Sequence, residues 1–180
     1  MQNYSTEGAF KGLVALASDY ARWQLQSGHA FNAAFFFIRN SGSVGAANER
    51  RTNSADSLDL FVEAIRQLAI AQNATEGVLV FLVECVSRQK PGDAAPSPVE
   101  PAQEYLFLTH QSRTDAHSFV IPVHRNPDGT NSHFGRGQET FDQVPGFANI
   151  VPNKKPSKPE RRIAKTLLRK YDQNITIADI

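Results

Sequence analysis

At 180 residues, with 41% apolar and 21% charged side chains, the chain has the material for one domain with its own core. A lone cysteine, Cys85, excludes a disulfide within the chain, and no apolar run exceeds six residues, where a membrane-spanning helix needs roughly 20. The net charge of +1 hides an asymmetry, because residues 154–170 hold eight bases and one acid, leaving eleven bases against seventeen acids elsewhere.

In chain order, Phe10, Leu13, Val14, Ala17, Tyr20 and Ala21 recur at steps of three and four and predict an amphipathic helix from Thr6 to Gln26, with Gly28 beyond its end. Spaced apolar residues and the lack of a basic start set this stretch apart from a secretory signal, so a reducing, cytoplasmic location is the expectation. Ala33–Ile38 reads as a buried strand ending in a turn at Arg39–Gly42, and the small, polar residues 43–53 read as a loop. A second helix is predicted over Ser54–Gln72, with Ser54 as N-cap and Leu58, Phe61, Val62, Ile65, Leu68 and Ala69 as its buried stripe. The unbroken β-branched and apolar run after Gly77 predicts a central strand. Residues 90–103 carry Pro91, Pro96, Pro98 and Pro101 and read as an extended loop.

Glu104–Gln111 and His117–His124 then form a predicted hairpin about the turn 112–116, with Pro122 placing the second strand at a sheet edge. Asn126–Gly129 is a turn signal, and Phe134, Phe141, Val144, Phe147 and Ile150 read as pins for a long irregular segment. Pro159–Tyr171 is a basic helix with Ile163, Leu167 and Tyr171 on one face and Leu168 beside them, and residues 175–180 alternate as a strand does. These elements predict an α+β fold: a mixed or antiparallel sheet of four or more strands, two amphipathic helices on one face, and an appended C-terminal basic helix. Residues 1–150 are expected as the globular domain and 151–180 as a basic arm.

The body from about Leu13 to Gln138 resembles a loose group of small uncharacterised bacterial proteins, carried by AAFFFIRNSG, DLFVEAIRQLA, GVLVFLVECVSR and EYLFLTHQ…SFVIPVHRNPDG…FGRGQ in that order. The resemblance implies an α+β fold and leaves function open.

Chemistry-bearing candidates are few. His110 and His117 flank the hairpin turn that holds Asp115, so their rings can approach, whereas His117 and His124 fall on opposite faces of one strand. The spacing matches no metal-ligand signature, so metal and cofactor are expected to be absent. Glu84 lies within the most apolar strand, with Arg39 as its expected partner, and a site around Glu84, His110 and His117 is the third reading of function, a hydrolase-like enzyme. Cys85 reads as a small buried hydrophobe. No glycine-rich phosphate loop or serine nucleophile elbow is present, and no catalytic residue is assigned.

The basic segment carries the main expectation. Lys154, Lys155, Lys158, Arg161, Arg162, Lys165, Leu167, Arg169, Lys170 and Tyr171 are the predicted binding residues of a small, non-enzymatic accessory protein that docks on a larger protein partner or assembly. The alternative is nucleic acid, where five to seven phosphate contacts would give a log–log salt slope of roughly −4.5 to −6. An anionic membrane surface ranks last because the apolar face is thin.

Overall fold

The computed structural model describes residues 6–27, 30–50, 56–85, 103–125, 133–140 and 147–180. The Pro-rich loop, the Asn126–Gly129 turn, Gly28 and the Ser54 cap lie outside the described residues. The elements are α1 (Thr6–Gln26), β1 (Ala34–Arg39), β2 (Val44–Glu49), α2 (Ser57–Ala71), β3 (Ala74–Cys85), β4 (Gln103–Ser112), β5 (Ala116–His124), β6 (His133–Phe134), β7 (Gln138–Thr140), α3 (Lys158–Leu168) and β8 (Ile175–Asp179). The strands make one antiparallel sheet in the order β6-β5-β4-β3-β1-β2-β8, with β7 also pairing β5.

The helices lie on opposite faces of this sheet, not on one face as expected. Leu13, Ala17, Ala21 and Leu25 of α1 pack with Ala34, Phe36, Val78, Val80, Leu106 and Leu108. Phe61, Ile65 and Leu68 of α2 pack on the other side, with Phe35, Phe37, Leu79 and Phe81. The physical reason is the period of two along a strand: β1 and β3 are apolar at consecutive positions, so both of their faces need covering. Gly77 makes room within the second core, since a Cβ there would come 2.5 Å from the Phe35 ring. Asn73, at φ 52, takes the left-handed position that ends α2.

The expected loop at 43–53 contains a strand. β2 pairs β1 on one side and β8 on the other, so its ladder and not its composition makes it a strand. Pro122 does not mark an edge either: β7 pairs residues 118–120 and β6 pairs 123–124, and Pro122 falls in the gap between the two short partners.

The predicted arm is part of the domain. Gln111, 4% exposed, holds the approach to it, its amide donating to the Phe147 carbonyl at 2.5 Å and its Oε1 accepting from Ile150 N at 2.8 Å. Phe147 stacks on Phe81 at 4.4 Å, and Ile150 and Val151 join the core. The chain then passes Gln67 and Ile70 of α2 through Pro152–Pro156, α3 lies against α2, and β8 closes the far edge of the sheet. The ladder to β2 holds β8, and Arg39 sits beside it: it donates to Gln72 Oε1 at 3.1 Å and the Val44 carbonyl at 3.1 Å, and it pairs with the exposed Asp179 of β8. Gln111→Ala is expected to leave the buried Ile150 N–H bare, at roughly 1–3 kcal/mol, and the part-buried Phe147 carbonyl without its donor, which a thermal melt reads as a drop of several degrees.

On the α1 face, Tyr20 donates to the Asn32 carbonyl at 3.0 Å, accepts from Gln24 Nε2 at 3.0 Å, and sets its ring edge-on to Phe36. Burial pushes its phenol up from 10.0 to about 12, against the opposing Gln24 hydrogen bond, with the Glu49 carboxylate adding to the rise. Because the folded value is the higher one, the stabilisation it brings is complete below pH 10 and is lost as the pH climbs towards about 12. An alkaline absorbance titration is expected to show a late tyrosine phase, and Tyr20→Phe to remove it.

Candidate functional site

The start of α3 is set by Ser157-Lys158-Pro159-Glu160. Ser157 Oγ accepts from Glu160 N at 3.4 Å, and the Glu160 carboxylate accepts from Ser157 N at 2.7 Å, which completes a capping box. Hydrogen bonds to the carboxylate from the Ser157 side chain and from its backbone N–H, reinforced by the charge of Lys154, hold the Glu160 carboxyl below its ordinary value. The S-x-x-E pattern was available in the sequence as the start signal, one turn before the predicted face.

The buried side of α3 differs from the predicted one. Ala164 is 2% exposed, and Leu168 and Tyr171 pack against the α2 core, whereas Ile163 is 60% exposed. Leu167 is half-buried, so it and Tyr171 belong mainly to the domain's own packing. What faces outward is cationic: Lys154, Lys155, Lys158, Arg162, Lys165, Arg169 and Lys170 are exposed, and Arg161 is half-buried. Lys158, Arg162, Lys165 and Arg169 follow one another at steps of four, three and four, which places them in a single row along one flank of the helix. At 1.5 Å per residue the row is about 16 Å long. On the other flank, Ile163 borders a groove of about 260 Å³ walled by Ile70, Pro152, Pro156 and Ala164.

The third group of candidates does not converge. Glu84 is exposed and sits across from Glu104, while His110 sits across from Val78, six residues away along β3 or about 20 Å. Arg39 is not the partner of Glu84, because its register places it beside Ala74 at the opposite end of β3. Instead Arg125 binds the Glu104 carboxylate through two nitrogens, next to Glu84. Cys85 is exposed at the end of its strand, not buried.

His110 and His117 do meet: they face each other in the hairpin register with ring centroids 6.3 Å apart. The carboxylate beside them is Glu76, whose Oε1 is 3.2 Å from His110 Nε2, and not Glu84 or Asp115. Asp115 accepts from the Thr114 hydroxyl at 2.7 Å in the exposed turn. The cross-strand diagonal from Glu76 to His110 could have been found by writing out the β3–β4 register. Among the described residues, no group of three His, Cys, Asp or Glu side chains is placed to hold a metal ion. No described helix is long and apolar enough to cross a membrane.

Comparison with known proteins finds no family model, curated protein or solved structure that matches the chain.

Proposed function

We propose that this is a non-enzymatic accessory protein that docks, through the outward flank of α3, on a larger partner presenting a dense row of negative charge. The phosphate backbone of nucleic acid is the chemistry that suits this flank best. The observation that carries the reading is the row Lys158, Arg162, Lys165 and Arg169, exposed side by side on a helix that the capping box and α2 hold in place. A row without apolar residues suits a hydrated polyanion better than a hydrophobic groove. The apolar residues that would have filled such a groove, Leu168 and Tyr171, are spent on the protein's own core.

Four phosphate contacts give a log–log salt slope of about −3.6 on duplex and about −2.8 on single strands. Duplex affinity is then expected to fall about a hundredfold between 50 and 200 mM salt. The measurement is a fluorescence-anisotropy titration with a mixed-sequence duplex at several salt concentrations. A slope near zero, or no binding at 50 mM salt, rejects the phosphate reading.

The exposed Ile163 and its groove favour a second reading, an acidic protein partner with an apolar anchor. Ile163→Ser separates the two: it leaves phosphate binding unchanged and weakens a protein partner.

A further inference from the structure

We propose that His124 and His133 form a two-imidazole surface site for a late first-row divalent cation, Cu²⁺ foremost. The two residues are directly opposite each other in the β5–β6 register, both are exposed, and their ring centroids lie 5.1 Å apart. Directly opposed residues of antiparallel strands hold their Cβ atoms about 4.5–5.5 Å apart. Two cis nitrogens bound to one tetragonal Cu²⁺ at about 2.0 Å are about 2.8 Å apart. Exposed imidazoles close that difference by side-chain rotation, with no change in the backbone.

Three features of the surroundings support a ligand site. Gly135 N donates to the Pro122 carbonyl at 2.8 Å, which extends the short β6 pairing and fixes the strand under His133. Gly135 also leaves the space that the His124 ring uses, since a Cβ there would lie 2.9 Å from His124 Nε2. The neighbouring cation, Arg125, is neutralised by Glu104, which lies on the other face of the sheet from His124. Imidazole selects Cu, Zn and Ni over Mg and Ca, and affinity at such a site rises to a maximum at Cu²⁺. Water completes the coordination. The inner pair His110–His117 differs: His110 is 5% exposed and engaged by Glu76.

The test is a Cu²⁺ titration of the full chain, followed by calorimetry and electron paramagnetic resonance. One equivalent is expected to bind with hyperfine structure from two imidazole nitrogens. His124→Ala and His133→Ala are each expected to weaken it by at least the roughly 10–100-fold that loss of a supporting group costs a metal site. Gly135→Ala, which removes no ligand, is expected to weaken it by displacing the His124 ring, and His117→Ala to leave it unchanged. An isotherm of the His124→Ala/His133→Ala protein that superimposes on the parent overturns the proposal, as does a spectrum with no nitrogen hyperfine structure.

Discussion

Phe81→Ala is expected to lower stability by about 3–5 kcal/mol and the melting temperature by about 6–20 °C. Phe81 is 1% exposed and stacks on two rings, Phe107 at 5.2 Å and Phe147 at 4.4 Å. The first contact is local to the β3–β4 ladder. The second ties the sheet to the segment that leads over α2 towards α3, so its loss opens a cavity and also loosens the approach to the basic helix. Gln111 holds the same segment by hydrogen bonds to Phe147 and Ile150, so the two sites share partners. Substitutions at both should therefore depart from additivity, as coupled neighbours do. Phe81→Leu refills part of the cavity and should recover part of the loss. Urea melts of the two single variants and the double variant measure all of this. A Phe81→Ala cost under about 1 kcal/mol would mean that Phe147 is not seated on the sheet.

The sequence was most legible where one physical signal dominated. The helical period of α1 predicts Thr6–Gln26, which is the observed helix, and the two apolar stretches on either side of the 112–116 turn locate β4 and β5. The β2 strand was illegible because VGAANE has no β-branched run. Gly45 belongs there because a Cβ would come 2.6 Å from the Phe37 ring of the neighbouring strand, a requirement visible only once the pairing is known. The placement of the helices was legible in principle. Unbroken apolar runs in β1 and β3 demand cover on both faces, and the one-face expectation did not apply that rule. The C-terminal segment misled through its charge. Val151, Ala164, Leu168, Tyr171 and Ile175 are its apolar residues packed inward, too few to outweigh eight bases in a reading by composition. Which of the basic residues share a flank follows from helical spacing; that this flank faces outward depends on which side of α3 meets α2, which the sequence does not give.

Replacing Lys158, Arg162, Lys165 and Arg169 together by glutamine is expected to abolish binding to duplex DNA at 50 mM salt and to bring the salt slope from about −3.6 towards zero. All four side chains are exposed, and α3 keeps its capping box and its packing on α2, so the fold should remain. The more telling variant carries only Lys158→Gln and Arg162→Gln. Lys158 is the first residue of α3, where a positive charge opposes the helix dipole by about 0.3–1 kcal/mol. Lys158 and Arg162 repel across one turn by about 0.2–0.5 kcal/mol. Removing both charges should therefore raise stability by about 0.5–1.5 kcal/mol, or about 1–6 °C in melting temperature, while halving the salt slope. Opposite signs in the two measurements are what a surface kept for binding at the expense of stability must show. A row that serves only the fold would lose stability on neutralisation, and a row that serves nothing would leave the salt dependence untouched. Paired melting curves and anisotropy titrations on this double variant separate the three cases.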